Sequence, residues 1–251
     1  MNNYRPINPN FPPVVKNLII INLLAWIASL VLPKFGIDLV QLLGLHYWSG
    51  SEFHFVQFIT YMFLHDTSSF THIFFNMFGL WMFGKDVELL WGPKKFLIFY
   101  FVTGIGAGLI QQLAWMIDLA PALSAFETYA NTRDISVLMP FLNVTEGMVV
   151  PLGQLASLQE QLLNAPVTVG ASGALFGVLL AFAMLFPQAR MVFIFFPVPI
   201  RAPYFVAFYA LCELFLGISG PADGVAHFAH LGGMIFALVL ILIWKKKGKM
   251  Y

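Results

Sequence analysis

The sequence predicts an all-α polytopic membrane protein, and composition, segment length and charge placement lead to that prediction. Of the 251 residues, 59% are hydrophobic, only 10% are charged and 27 are Phe. An ordinary soluble domain carries about 25% charged residues, and a soluble chain of this length could not bury so much apolar surface. The single cysteine, Cys212, excludes an internal disulfide framework. We therefore expect a single membrane domain.

Six apolar segments are long enough to be predicted as membrane spans. At a helical rise of 1.5 Å per residue, about 20 residues cross the hydrocarbon core. An apolar stretch at 191–200 is too short to cross, and Pro197 and Pro199 forbid a regular helix there, so we place it at the membrane interface. The predicted spans cover residues 16–33, 70–84, 95–116, 168–186, 203–218 and 226–244.

The basic residues support this count and give an orientation. With six spans, Lys34 and Arg133 lie on one side of the membrane and the other eleven basic residues lie on the opposite side. Because basic residues collect in cytoplasmic segments, both termini are expected in the cytoplasm and the 117–167 loop outside it. The eleven are Arg5, Lys16, Lys85, Lys94, Lys95, Arg190, Arg201, Lys245, Lys246, Lys247 and Lys249.

The same pattern divides the chain into a polar tail at 1–15, a six-helix core at 16–244 and a basic tail at 245–251. The tail at 1–15 lacks the Arg- and Ser-rich character of an organelle transit peptide. The expected location is therefore a cell membrane, most simply a bacterial plasma membrane. In the long loop, Leu155, Leu158 and Leu162 recur at helical spacing and predict an amphipathic helix.

Five hydrogen-bonding side chains fall at a similar depth in three of the predicted spans. Spans two, four and six all enter from the outer side, and helical rise places these side chains roughly 3–10 Å inside the outer surface. Polar residues in spans are costly and usually face an interior or a wet cavity. We therefore expect a shared site that contains His72, Asn76, Ser172, His227 and His230.

The residues around the serine suit nucleophilic chemistry. Gly170 and Gly173 flank Ser172, and Gly233 follows His230 by one turn. Small residues let two membrane helices approach closely. A serine becomes a nucleophile when a base takes its proton, and histidine is the natural base near neutral pH. The glycines thus predict a helix seam that brings hydroxyl and imidazole within reach.

Taken in order, these motifs resemble those of the rhomboid intramembrane serine proteases. The resemblance covers most of residues 16–244 and implies a six-helix rhomboid-like bundle that cleaves transmembrane helices near their outer ends. It implies lipid-embedded protein substrates, with no cofactor, metal or nucleic acid. The motifs are HIFFN at 72–76, FG at 83–84 followed by VE at 87–88 and Gly92, GASG at 170–173 and AHLGG at 229–233.

The resemblance also implies residue roles. Ser172 corresponds to the nucleophile and His230 to the general base. His72, Asn76 and the Ser172 backbone N–H correspond to the donors that stabilise the oxyanion. Phe176 lies where the family often has a tyrosine against the catalytic imidazole, so stacking is kept and a hydroxyl is lost.

His227 and His230 are three residues apart, and either could reach the serine. The family's histidine is followed by x-x-Gly, which Gly233 satisfies for His230, so we expect His227 to line a water-accessible mouth. No acid occupies a convincing third position: Asp223 precedes the last span, and we assign Glu213 to packing and local hydrogen bonding. The sequence therefore predicts a serine–histidine dyad without a carboxylate.

The loop ahead of span two and the inner end of that span also have an interpretation. Many relatives have a Trp-Arg pair ahead of span two, where this chain has Val56 and Gln57, which puts the anchoring of that loop in doubt. Glu88, near the inner end of span two, is expected to form hydrogen bonds among helix ends.

Two other classes of function remain open at this point. One is a catalytically inactive rhomboid-like binder of membrane helices, for which loss of Ser172 or His230 would be the simplest sign; both are present. The other is a transporter or metal channel lined by His65, His72, His227 and His230. No HExxH motif is present, and the sequence places no acid near those histidines.

Overall fold

The computed structural model describes residues 10–193, 196–220 and 224–248, and most of them are helical. Residues 1–9 of the predicted polar tail, Asp223 and residues 249–251 of the basic tail lie outside the described part. The helices are α1 Pro13–Val31, α2 Leu39–Leu43, α3 Gln57–Thr60, α4 Phe70–Gly79, α5 Lys85–Trp91, α6 Pro93–Thr132, α7 Leu152–Asn164, α8 Ser172–Leu185, α9 Ala202–Ser219 and α10 His227–Lys246. The strands are β1 Leu45–His46, β2 Val167–Thr168, β3 Arg190–Phe193 and β4 Phe196–Arg201.

The prediction of a multi-pass helical membrane protein is confirmed. In the described ranges, four helices are long and apolar enough to cross a membrane: α1, α6, α9 and α10. Helix α8 is apolar but has only 14 residues. Helices α4 and α5 run into each other through a π-helical turn at Leu80–Gly84. The count of six spans and the single-domain organisation stay predictions.

Two short antiparallel strand pairs depart from the all-α prediction. The stretch at 191–200 pairs with itself, with Met191 opposite Ile200 and Arg190 opposite Arg201. Because proline breaks helical hydrogen bonding, extended pairing is how this apolar stretch satisfies its backbone. The second pair joins β1 to β2, with Leu45 opposite Thr168, and so ties the loop ahead of α4 to the segment that leads into α8.

Helix α6 is longer than the predicted span at 95–116, because it continues to Thr132. Much of the predicted 117–167 loop is therefore helix. Helix α7 confirms the amphipathic prediction, since Leu155 is buried and Leu158 and Leu162 pack against the same cluster. This outer layer, residues 117–164, has its own apolar core of Ala125, Phe126, Tyr129, Leu138, Val150 and Leu155.

Helix α8 packs against both α6 and α10, which also pack against each other. Its close contacts use residues without large side chains. A Cβ added at Gly233 would overlap the carbonyl oxygen of Gly173, and one added at Gly177 would lie 2.7 Å from the Cβ of Thr103. The predicted glycine seam between α8 and α10 is thus present in the structure.

Glu88 on α5 binds the start of α1. Its two carboxylate oxygens accept hydrogen bonds from the backbone N–H groups of Val14 at 2.9 Å and Val15 at 2.7 Å. The first N–H groups of a helix have no partner within the helix, so a carboxylate is well matched to this position. The expectation that Glu88 bonds among helix ends is confirmed.

Candidate active site

Ser172 is the first residue of α8, and a glycine turn fixes its position. Gly170 has φ of 131°, which L side chains rarely adopt, and its N–H donates to the Tyr61 carbonyl at 2.9 Å. A Cβ at Gly170 would lie 3.1 Å from His72 Nε2 and 3.4 Å from Ser172 Oγ. Gly170 therefore leaves open a space that both side chains border.

His230 meets Ser172 across the seam. It lies in the first turn of α10, and its Nε2 is 2.9 Å from Ser172 Oγ. The Phe176 ring stacks on the imidazole, with centroids 4.2 Å apart and planes within 7°. Packing thus fixes the imidazole plane while Nε2 faces the hydroxyl. The structure brings these three predicted residues together.

A carboxylate occupies the far side of the same imidazole. Glu213 on α9 places Oε2 2.9 Å from His230 Nδ1 and 2.7 Å from His227 Nδ1. The expectation that no acid lies near the His230 imidazole is therefore wrong. Glu213 lies six residues before the C-terminal end of α9 at Ser219, about 9 Å along the helix. The depth argument that selected His230 would have selected Glu213 too.

His227 does not line a water-accessible mouth. It is only 6% exposed, and its ring faces Glu213. The ligand atoms of Glu213, His227 and His230 lie within 4.8 Å of one another, so this group could in principle hold a metal ion. The hydrogen bonds among the three already account for their approach. The acidic partner that the sequence did not indicate for these histidines is Glu213.

His72 lies on the other side of the serine. Its Nδ1 accepts a long hydrogen bond of 3.4 Å from the Asp66 backbone N–H. An accepting Nδ1 leaves the proton on Nε2 in the neutral ring. Nε2 faces the space beside Gly170 that Ser172 Oγ also borders. The His65 ring packs edge-on against His72, with centroids 5.0 Å apart.

Asn76 lies one turn further along α4 and is buried. Its Nδ2 donates to the His72 carbonyl at 2.9 Å, and its Oδ1 has no hydrogen-bond partner among the described residues. It makes no hydrogen bond to Ser172. The structure therefore brings Asn76 to the correct helix and depth but leaves its amide bonded to its own helix.

Gln57 anchors the loop ahead of α4, where the sequence left anchoring in doubt. Its side chain is fully buried. Oε1 accepts from the N–H groups of His54 at 3.1 Å and His46 at 3.4 Å. Nε2 donates to the carbonyls of Glu52 at 2.9 Å and Leu42 at 3.4 Å. One neutral amide thus ties four points of this loop together.

Known proteins are similar to this chain in sequence. A family model described as a Rhomboid domain matches residues 52–118 and 137–247. The chain is 28% identical over 177 residues to "Rhomboid protein 1, mitochondrial" of Saccharomyces cerevisiae. That alignment covers 68% of this chain but only 37% of the yeast protein. Because the family model matches well over half of its length, the chain belongs to the rhomboid family.

Proposed function

We propose that the protein is an intramembrane serine endopeptidase that uses Ser172 as nucleophile and His230 as general base. The observation that carries this proposal is the 2.9 Å hydrogen bond between Ser172 Oγ and His230 Nε2 in the glycine seam. Membership of the rhomboid family supports protease-type chemistry. Both residues are retained, which favours an active enzyme over an inactive binder of membrane helices.

The first chemical step is attack of Ser172 Oγ on a scissile carbonyl carbon while His230 Nε2 accepts the hydroxyl proton. His230 then gives the proton to the leaving amine as the peptide C–N bond breaks. Water attacks the acyl-enzyme while His230 accepts a proton from it, and His230 returns that proton to Ser172 Oγ as the ester bond breaks. Phe176 keeps the imidazole plane fixed through these proton transfers. His230 is therefore the only residue that carries the proton between the nucleophile, which is Ser172 or water, and the leaving group.

The developing oxyanion is stabilised by donors already at the site. The Ser172 backbone N–H, at the first position of α8, has no partner within the helix. His72 presents Nε2–H toward the same space. Asn76 joins them only if its amide leaves the His72 carbonyl. One such donor is typically worth about 3–4 kcal/mol in the transition state.

The substrates proposed are membrane proteins whose transmembrane helix is cut near its extracytoplasmic end, with the lipid bilayer as the surrounding partner. Ser172 and His230 both lie in the first turn of their helices, at the end predicted to face outward. We propose a cell membrane as the location, with both termini cytoplasmic, because the basic residues divide eleven to two. No cofactor takes part in the proposed reaction.

The test is cleavage of single-span substrates in liposomes by the wild type, Ser172→Ala and His230→Ala. We expect cleavage only by the wild type, and fluorophosphonate labelling that is lost in Ser172→Ala. Ser157→Ala is the matched control, because Ser157 is an exposed serine on α7. A folded wild type that binds substrate without cleaving it or being labelled would contradict the protease and support the inactive binder.

A further inference from the structure

We propose that Glu213 is a positioning residue for His230, completing a relay from carboxylate to imidazole to serine. This inference rests on the proposed protease function. The three groups come from three helices: Glu213 from α9, His230 from α10 and Ser172 from α8. Each nitrogen of the His230 ring has one partner, with Glu213 Oε2 at 2.9 Å on Nδ1 and Ser172 Oγ at 2.9 Å on Nε2.

The first consequence is the choice of tautomer. An ionised carboxylate can only accept hydrogen bonds. Nδ1 of His230 must therefore carry the ring proton and donate a hydrogen bond to Glu213. Nε2 is then unprotonated and faces the serine hydroxyl, which is the form a general base needs. Without the carboxylate, neither tautomer would be imposed by a charged partner.

The second consequence concerns charge during the reaction. When Nε2 accepts the proton from Ser172, the imidazole becomes a cation, and Glu213 lies directly beside it. Glu213 is 4% exposed, and Coulomb interactions are stronger in such an environment than in water. The carboxylate remains ionised throughout and accepts no proton, so the relay orients and stabilises rather than transferring a second proton.

His227 explains how a carboxylate is held at this depth. Burying an isolated charge is costly unless it is paired and hydrogen-bonded. His227 Nδ1 lies 2.7 Å from the same oxygen that His230 contacts, so Oε2 faces two imidazoles. The helices are also close here, since a Cβ at Gly217 would lie 3.3 Å from His227 Cβ. His227 thus fixes Glu213, and Glu213 fixes His230.

The kinetic test compares wild type, Glu213→Gln and Glu213→Asp on a substrate that the wild type cleaves. Gln keeps the shape, but its amide can donate to Nδ1 and favour the wrong tautomer. We expect kcat to fall roughly 10²- to 10⁴-fold in Glu213→Gln, by analogy with the loss of a triad carboxylate, with KM within about threefold of wild type. Glu213→Asp should recover at least tenfold of that loss, because it restores the charge.

Three outcomes would overturn the proposal. The first is that kcat of Glu213→Gln lies within threefold of the wild-type value. The second is that kcat of Glu213→Asp is as low as that of Glu213→Gln. The third is loss of wild-type cleavage on treatment with a metal chelator, which would assign Glu213, His227 and His230 to a metal. Glu127→Gln, at an exposed glutamate on α6, is the matched control and should leave kcat unchanged.

A second measurement needs no Glu213 variant and no turnover. Nitrogen-15 NMR of histidine-labelled wild type in liposomes, assigned with His230→Ala, reports which ring nitrogen carries the proton. We expect His230 protonated at Nδ1 and unprotonated at Nε2, and the opposite tautomer would overturn the proposal. If no substrate is cleaved, the protease proposal fails, while this spectrum still tests the role of Glu213.

Discussion

The glycine seam around Ser172 and the outer layer at 117–164 are packed by different kinds of residue. In the seam, backbone lies against backbone or against a small side chain: Gly233 lies against the Gly173 carbonyl, and Gly177 against the Thr103 side chain. In the outer layer, large side chains fill the interior, with Phe126, Tyr129 and Leu138 almost fully buried. Tyr129 also bonds both backbone groups of Val150, at 2.8 Å and 2.9 Å.

The difference follows from what each region can gain by packing. Lipid tails are as apolar as the helices, so membrane helices associate through close contact and hydrogen bonds. The outer layer, which is predicted to lie outside the membrane, gains by removing apolar surface from water, at about 25 cal/mol per Å². The stability of the glycine seam should therefore be most sensitive to added atoms, and the stability of the outer layer to removed ones.

The largest effect is expected for one added methyl group in the seam, Gly233→Ala. The new Cβ would overlap the Gly173 carbonyl, so α8 and α10 must separate. Overpacking typically costs about 1–3 kcal/mol, and a displacement near 1 Å can slow catalysis about 100-fold. We expect a lower thermal midpoint in detergent and at least a 100-fold loss of cleavage.

The matched control is the same substitution in the outer layer, Gly153→Ala. A Cβ at Gly153 would meet nothing within 4 Å, and its φ is unremarkable for any residue. Alanine is up to about 1 kcal/mol better than glycine inside a helix, so stability should hold or rise slightly. Equal losses at Gly233 and Gly153 would contradict the contrast between the two regions.

The next effect is expected when an atom is removed from the outer layer, in Tyr129→Phe. Val150 would lose the partners of its N–H and its C=O while remaining buried. Leaving buried polar groups unsatisfied costs about 1–3 kcal/mol. Hydrogen exchange should rise in residues 117–164, while kcat stays within about twofold of wild type.

Tyr204→Phe serves as the control, since Tyr204 is 68% exposed on α9 and exposed substitutions usually change stability by less than about 0.5 kcal/mol. If Tyr129→Phe abolished cleavage without changing exchange, the outer layer would belong to the active site and not to a separate packing unit.

The sequence anticipated the bundle better than the outer layer. The shared predicted direction of spans four and six sufficed to place Ser172 and His230 at one depth, and the glycines indicated the seam. Glu213 was missed because its position in span five looked too deep for the site, although only six residues separate it from the end of α9 at Ser219. The extension of α6 to Thr132 was missed because its mixed polarity does not resemble a span.

Loop anchoring illustrates the same limit. Gln57 makes its hydrogen bonds to backbone groups of four other loop residues. Backbone positions in an irregular loop leave no periodic trace in the sequence. The anchoring role of the Gln57 amide could therefore be recognised only from the folded loop.

The smallest effect is expected from acidification, through His65, a buried histidine in the loop ahead of α4. Burial, together with neighbouring His72, lowers the pKa of His65 to about 3. In the unfolded chain the pKa of His65 is near 6.5. Between pH 6.5 and 3 this histidine therefore binds more protons in the unfolded chain than in the folded chain. Stability present above pH 6.5 is therefore lost as pH falls through that window.

Between pH 7 and pH 5.5 this histidine should contribute a loss of roughly 1 kcal/mol. The measurement is the free energy of unfolding of wild type and His65→Gln at both pH values, with the wild type showing the steeper decline. Parallel declines would mean that His65 is protonated equally in the folded and unfolded chains.

The carboxylate of Glu88 couples the first helix to the rest of the molecule. Its oxygens accept hydrogen bonds from the amides of Val14 and Val15, which lie 74 and 73 residues earlier in the chain. A truncated chain that starts after α1 would strand a buried negative charge, at a cost of several kcal/mol. A synthetic peptide spanning α1, added back in detergent, should reassociate with such a truncated chain, because only its leading turn supplies the two missing donors.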